Sequence, residues 1–178
     1  MGLKEYNQKR NFKKTKEPLG IKEKTNKSLK YVMQFHMASR AHFDLRLEWK
    51  GTLISWAIPK GPSYNPEDKR LAIHVEDHPL SYRYFEGNIP KEEYGGGTVM
   101  IWDEGTWEPI TDPNLKEGNL KFKLKGKRLT GIWNLVHMQE QEWLLIKEKE
   151  NLKKIPSLAE FTTSIRTNRT MKEIKDEN

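Results

Sequence analysis

The chain of 178 residues is long enough for one domain with a buried core and too short for two of ordinary size. It contains no cysteine, which excludes disulfides, zinc-thiolate sites and thiol nucleophiles, and no run of about 18 apolar residues that would span a membrane. With 32% charged residues and no apolar stretch resembling a signal peptide at its start, a soluble, cytoplasmic enzyme is the expectation.

The net charge of +7 is unevenly placed. Residues 1–30 hold ten Lys or Arg against three Glu, whereas residues 31–178 hold 22 basic and 22 acidic side chains. Residues 1–30 therefore read as a basic N-terminal arm that folds only against the body and can lie along a phosphate backbone, with Pro18 and Gly20 breaking any long helix. A disordered solubilising tail fits the same composition. Residues 31–150 then repeat short apolar runs between Gly and Pro turns: YVMQF, FDLRLEW, TLISWAI, LAIHV, TVMIW, LKFKL, GIWNLV and WLLIK. Most alternate with period two, as in LKFKLKG, where Leu120, Phe122 and Leu124 oppose Lys121, Lys123 and Lys125. About eight strands without long helices predict a mainly β fold, a single compact antiparallel β-barrel with short helices. The six tryptophans lie in strand-like stretches and are expected to pack in the core or rim, and Gly95-Gly96-Gly97 reads as a tight turn. Residues 151–178 read as a polar C-terminal tail, with PSLAEFTTSI a short helix after Pro156 and the last residues mobile.

Chemistry concentrates in His36-Met-Ala-Ser-Arg-Ala-His42-Phe-Asp44-Leu-Arg46-Leu-Glu48-Trp. In a strand from His42 onward, His42, Asp44, Arg46 and Glu48 share one face and Phe43, Leu45, Leu47 and Trp49 the other. Such a polar face cannot be buried uncompensated, and a divalent cation with an anionic ligand compensates it. His36, His42 and Asp44 are the candidate ligands; imidazole and carboxylate donors suit Mn, Fe, Co or Zn. In the next strands Leu71, Ile73 and Val75 alternate with Arg70, His74 and Glu76, so Arg70 and His78 are expected at the same pocket. Lys60, held in a turn after a proline, completes a cationic clamp with Arg46 and Arg70, the kind of charge neutralisation that phosphoryl transfer requires. His74 and His137 read as structural.

With these residues in view, the chain resembles the 3′-phosphoesterase module of bacterial DNA ligase D and its free-standing archaeal and bacterial relatives, from about Tyr6 to Glu150. QFHMASRAHFDLRLEW, SWAIPKGPSYNPEDKRLAIHVEDHPLSYRYFEGNIP, EEYGGGTVMIWDEGTW and EWLLIKEK carry the resemblance in order and spacing. It implies a small β-barrel hydrolase at DNA or DNA/RNA primer 3′ ends, using Mn2+, with Zn2+ or Co2+ as other options. Its phosphodiesterase step removes a terminal ribonucleoside and its phosphomonoesterase step turns the remaining 3′-phosphate into a 3′-OH. Carried over by motif are metal ligands His36, His42 and Asp44, with Arg46, Lys60, Arg70, His78 and Tyr82 around the phosphate. On this reading His78 is the general acid or transition-state donor, Tyr82 orients an oxygen, and Glu76 and Asp77 orient the His78 region or a metal-bound water.

Arg10 and Glu17 match the family's amino-terminal element, in which Asn11 stands where Asp is usual, putting the diesterase step in question. A catalytically weakened DNA 3′-end-binding module is the alternative, and an iron oxygenase using His42, Asp44 and His78 a more distant one. The expected partners are DNA ends, with any ligase, polymerase or end-binding protein a separate chain, and the expected state is a monomer.

Overall fold

The computed structural model describes residues 2–177. Eight strands close into an antiparallel barrel: β1 (Lys30–Met37), β2 (Ala41–Trp49), β3 (Thr52–Ile58), β4 (Arg70–Pro79), β6 (Gly97–Pro109), β7 (Asn119–Gly126), β8 (Thr130–Gln139) and β9 (Glu142–Lys147). The order around the barrel is β1-β2-β3-β4-β9-β8-β7-β6, and β6 returns to pair with β1. A short ninth strand, β5 (Gly87–Ile89), lies on the edge of β6. All eight runs expected from alternation are the barrel strands; β5, at three residues, carries no periodic signal.

The alternation sorts two compartments. Leu45, Leu47, Trp56, Ala72, Trp107, Phe122, Trp133 and Leu135 point inward and fill the barrel. Outside, the face of β1–β4 is covered by a second apolar cluster built from Leu3, Tyr6, Leu53, Leu80, Tyr82, Phe85, Ile89 and Val99, with Phe12 against it. The covering layer is the basic arm, which opens with the helix α1 (Lys4–Gln8), together with the 3-10 turn Leu80–Tyr84 and β5. The arm is thus part of the folded body: Tyr6 is fully buried and its hydroxyl donates to the Pro18 carbonyl at 2.7 Å.

Glu48 shows how the arm is anchored. Its carboxylate is fully buried and accepts from Asn26 N at 2.7 Å, Asn26 Nδ2 at 3.1 Å and Lys30 N at 2.9 Å.

The C-terminal segment differs from expectation. Residues 156–165 form no helix; the helix is α2 (Met171–Asp176), begun by a capping box in which Thr170 and Glu173 satisfy each other's backbone N–H groups. The segment also packs, with Ile174 buried, Ile165 N bonded to Ile101 O, and Asn88 donating to the carbonyls of Ile174 and Lys175. No helix among the described residues is long and apolar enough to cross a membrane.

Removing the Glu48 carboxylate takes the acceptor from part-buried N–H groups of Asn26 and Lys30, so Glu48→Ala is expected to lower stability by about 1–3 kcal/mol. Urea denaturation should show an earlier midpoint at unchanged slope, since the barrel remains.

Candidate active site

The site sits on the outer face of β1–β4, beneath the arm. Antiparallel register places His36 directly opposite His42 and Gln34 opposite Asp44. The two-residue period then brings His36, His42 and Asp44 to one spot, their ligand atoms within 4.8 Å of one another. His42 Nδ1 lies 2.9 Å from the Arg40 carbonyl, so it carries the proton and leaves Nε2 as a lone pair 3.5 Å from Asp44 Oδ1. His36 Nδ1 lies 3.7 Å from Asp44 Oδ2, and His36 Nε2 is buried without a partner. Acceptors facing acceptors in a buried place call for a cation, and a divalent ion fits this donor set.

Charge in the protein reports the same demand. Burial raises the Asp44 carboxyl, but Arg46 and the two imidazoles outweigh it and hold the group well below its ordinary range. Burial lowers His42, yet its contact with Asp44 dominates and raises it above an ordinary imidazole. Without metal, a proton on His42 stands in for the ion.

A cavity of about 290 Å³ opens beside the triad, lined by Arg10, Glu17, Arg46, Glu76, His78, Tyr82, Tyr94 and Gly95. Arg46 is 3% exposed; its Nη2 donates to Asp44 at 3.2 Å, its guanidinium lies 4.7 Å from the Tyr82 ring centre, and its Nη1 has no partner. The arm contributes Arg10, whose Nε donates to Glu17 at 2.9 Å and whose Nη1 donates to Glu76 at 3.1 Å. Glu17 also accepts from Tyr82 Oη at 2.9 Å and Thr15 Oγ1 at 2.9 Å. Burial, with Glu17 beside it, holds the Tyr82 phenol far above its ordinary range, so it remains a donor.

A bulge in β4 supplies the remaining wall. Ser55 pairs with Val75, but Leu53 pairs with His78, so β4 carries one extra residue and Val75, Glu76 and His78 all reach the cavity. Strict alternation, as expected from sequence, would have put Glu76 and His78 on the face opposite Val75. Asp77 is turned away into another hollow with Trp49, Thr52 and His74, so it does not orient His78.

His78 takes a different part from the proton donor expected. Its Nδ1 lies 2.9 Å from the Glu76 carbonyl and so bears the proton; its Nε2 therefore accepts from Arg10 Nη2 at 3.2 Å. Burial, then Arg46 and Arg10, hold it well below an ordinary imidazole, leaving it neutral. In this arrangement its N–H is committed to the backbone and its lone pair to Arg10. It also lies outside the triad, so the two-His-one-carboxylate set with His78 is not formed.

Lys60 and Arg70 do not line this cavity. They border a neighbouring hollow with Phe43, Tyr64 and Trp102. Lys60 is exposed, and Arg70 sits at the start of β4 with Nη2 3.4 Å from Asp68 and Nε buried without a partner. Asn11 is exposed and its Oδ1 accepts from Lys13 N at 3.1 Å, a turn-closing contact that Asn makes as well as Asp. His74 stacks 5.3 Å from Trp56, and His137 lies 5.0 Å from Trp143, as structural residues.

Sequence reasoning missed Gln34, Lys9 and Tyr94. Gln34 was reachable from its place on the His36 face of β1; Lys9 and Tyr94, which meet at the rim with Nζ 4.9 Å from the ring centre, have no sequence signal that brings them together.

Residues 34–137 match the family model described as the DNA ligase D 3′-phosphoesterase domain. The chain belongs to this family. It is 45% identical over 95% of its length to the multifunctional non-homologous end joining protein LigD of Pseudomonas aeruginosa, covering 22% of that protein. The LigD of Mycolicibacterium smegmatis is 38% identical over 82% of the chain, and the LigD DNA repair protein of Mycobacterium tuberculosis 42% over 80%. The chain spans about a fifth of the length of these relatives. Of the residues that the resemblance led us to expect at the site, all but Lys60 and Arg70 line the cavity.

Two measurements check the electrostatics. A divalent ion must displace the His42 proton, so Mn2+ affinity should fall by about tenfold per pH unit below the raised His42 pKa and level off above it; calorimetry in buffers of different ionisation enthalpy should show proton release. Asp77, pushed up by burial to about 6 from an ordinary 3.8, loses stability as pH rises through that window. Asp77→Asn should therefore melt higher than the parent above pH about 6 and converge with it below about 4.

Proposed function

We propose that this domain is a metal-dependent phosphoesterase that heals DNA 3′ ends, acting as a 3′-phosphate monoesterase and a 3′-ribonucleoside phosphodiesterase at primer termini. One observation carries the reading: three side chains that could hold a metal ion converge beside a buried arginine whose Nη1 has no partner among the described residues. That pairing provides one place for a cation and, next to it, one hook for an anion.

His36, His42 and Asp44 would hold the ion; Mn2+ suits the nitrogen and oxygen donors, as Zn2+ or Co2+ also would. When bound, it supplies Lewis acidity and charge neutralisation at the phosphoryl group. Arg46 offers Nη1 to a non-bridging oxygen, and its bond to Asp44 fixes the distance between hook and triad. Arg10, clamped between Glu17 and Glu76, brings a second guanidinium to the same wall, and Tyr82 braces Glu17 from below. Lys60 and Arg70, which border a separate hollow, would meet phosphates or the sugar beyond the reacting group. Lys13, Lys16, Lys22, Lys24 and Lys27 are exposed on the arm, where they can follow a nucleic-acid backbone. End joining appears in the names of the relatives; for this chain DNA-end substrates, a monomeric state and a cytoplasmic setting are part of the proposal.

The end-binding alternative rested on Asn11 and on the basic arm, and the position of Asn11 bears on the first of these. Its turn-closing position outside the cavity takes away that motive, so Asn11→Asp is expected to leave both steps within about twofold.

The test is product analysis of duplex primers ending in 3′-phosphate or in a 3′-ribonucleotide, incubated with Mn2+. Conversion to 3′-OH is expected for the first, and removal of the ribonucleoside followed by the phosphate for the second. His42→Ala should abolish both, and Arg46→Ala should reduce kcat by about 10²–10³. Tight, salt-sensitive binding without turnover under varied metals would favour the end-binding module instead.

A further inference from the structure

We propose that Gln34 is the positioning residue that aims the Arg46 guanidinium into the cleft; the inference rests on the phosphoesterase reading of this cavity. Gln34 is fully buried in β1, on the same face as His36 and directly across from Asp44. Its side-chain amide has all its partners. Nε2 donates to the carbonyls of Tyr82 at 3.1 Å and Phe85 at 2.9 Å, while Oε1 accepts from Arg46 Nε at 2.7 Å. The orientation is forced by chemistry, because two carbonyls accept only and a guanidinium donates only.

Arg46 is consequently fixed on three sides: Nε on Gln34, Nη2 on Asp44 at 3.2 Å, and the planar face over the Tyr82 ring at 4.7 Å. The one terminal nitrogen left without a partner among the described residues is Nη1, buried, on a side chain that lines the cavity. An arginine that must be ordered when an anion arrives forfeits rotamer freedom, whereas one already held does not. Gln34 further ties this hook to the 3-10 turn that carries Tyr82, since the Tyr82 carbonyl also accepts from Phe85 N at 3.0 Å. One amide therefore joins the anion hook, the metal-bearing strand pair and the Tyr82 turn, without itself lining the cavity.

The experiment is calorimetric titration of inorganic phosphate into the Mn2+-loaded protein, arranged as a double-mutant cycle of Gln34→Met and Arg46→Ala, with Mn2+ affinity measured alongside. Gln34→Met keeps the volume and removes the acceptor. It is expected to weaken phosphate binding by about ten- to a hundredfold while Mn2+ affinity stays within about twofold. In the Arg46→Ala background the same change should cost nothing further, because the group it acts through is gone. Additive losses, an unchanged phosphate affinity, or a parallel loss of Mn2+ affinity would each overturn the proposal. Should Gln34→Met not melt cooperatively, Gln34→Glu, which keeps an oxygen on Arg46 Nε, should retain more phosphate affinity than Arg46→Ala; equal weakness would overturn it. A parent protein that takes up no phosphate removes the hook altogether, whereas one that binds phosphate but converts no 3′ end contradicts the proposed function alone.

Discussion

Two hydrogen-bonded strands place His36 across from His42 and, two residues along, Asp44 beside both. Among the described residues nothing satisfies these lone pairs at once: Asp44 is 5% exposed, His36 Nε2 is orphaned, and the nearest donor, Arg46, reaches a single carboxylate oxygen. A cation resolves the conflict, and the rest of the cavity is arranged around that requirement. Arg46 offsets the carboxylate in one direction and leaves an unused N–H in another. The barrel interior, filled by Trp56, Trp107 and Trp133, keeps the register from slipping; a one-residue shift of β1 against β2 would send His36 inward and break the convergence.

The arm completes the site from outside. Its apolar side chains Tyr6 and Phe12 bury against the turn that carries Tyr82, and this packing delivers Arg10 and Glu17 to the cavity wall. Arg10 then binds two carboxylates and the lone pair of a neutral His78. A sequence whose charge is concentrated in its first thirty residues thus divides the labour: buried arm residues build the wall, and exposed lysines face solvent where a polyanion would lie.

How much of this was legible depends on the range of the interaction. Alternation of apolar and polar residues is local, so the eight barrel strands and the polar face His42-Asp44-Arg46 could be read directly. The short helix was expected at 156–165, on the strength of Pro156, although the Thr170-to-Glu173 capping box carried the stronger start signal. The β4 bulge defeats the period-two rule at the residues that matter: it swings Glu76 and His78 to the cavity and Asp77 away, and separates them from Arg70 at the far end of the strand. The roles of His78 and Gln34 were equally beyond sequence, because each is set by a partner distant along the chain: Arg10 for the first, and Arg46 with the Tyr82 and Phe85 carbonyls for the second. The resemblance led to the expectation of His78 at the site, and it lines the cavity, but only geometry shows which way its proton points.

The central claim is that one cation sits among His36, His42 and Asp44 with an anion held beside it by Arg46. Anomalous diffraction from crystals grown with Mn2+ and phosphate tests it most directly. The account predicts a manganese peak within bonding distance of all three side chains and a phosphate oxygen on Arg46 Nη1. A peak elsewhere, or a phosphate held away from Arg46 in a crystal whose triad is intact, would contradict it.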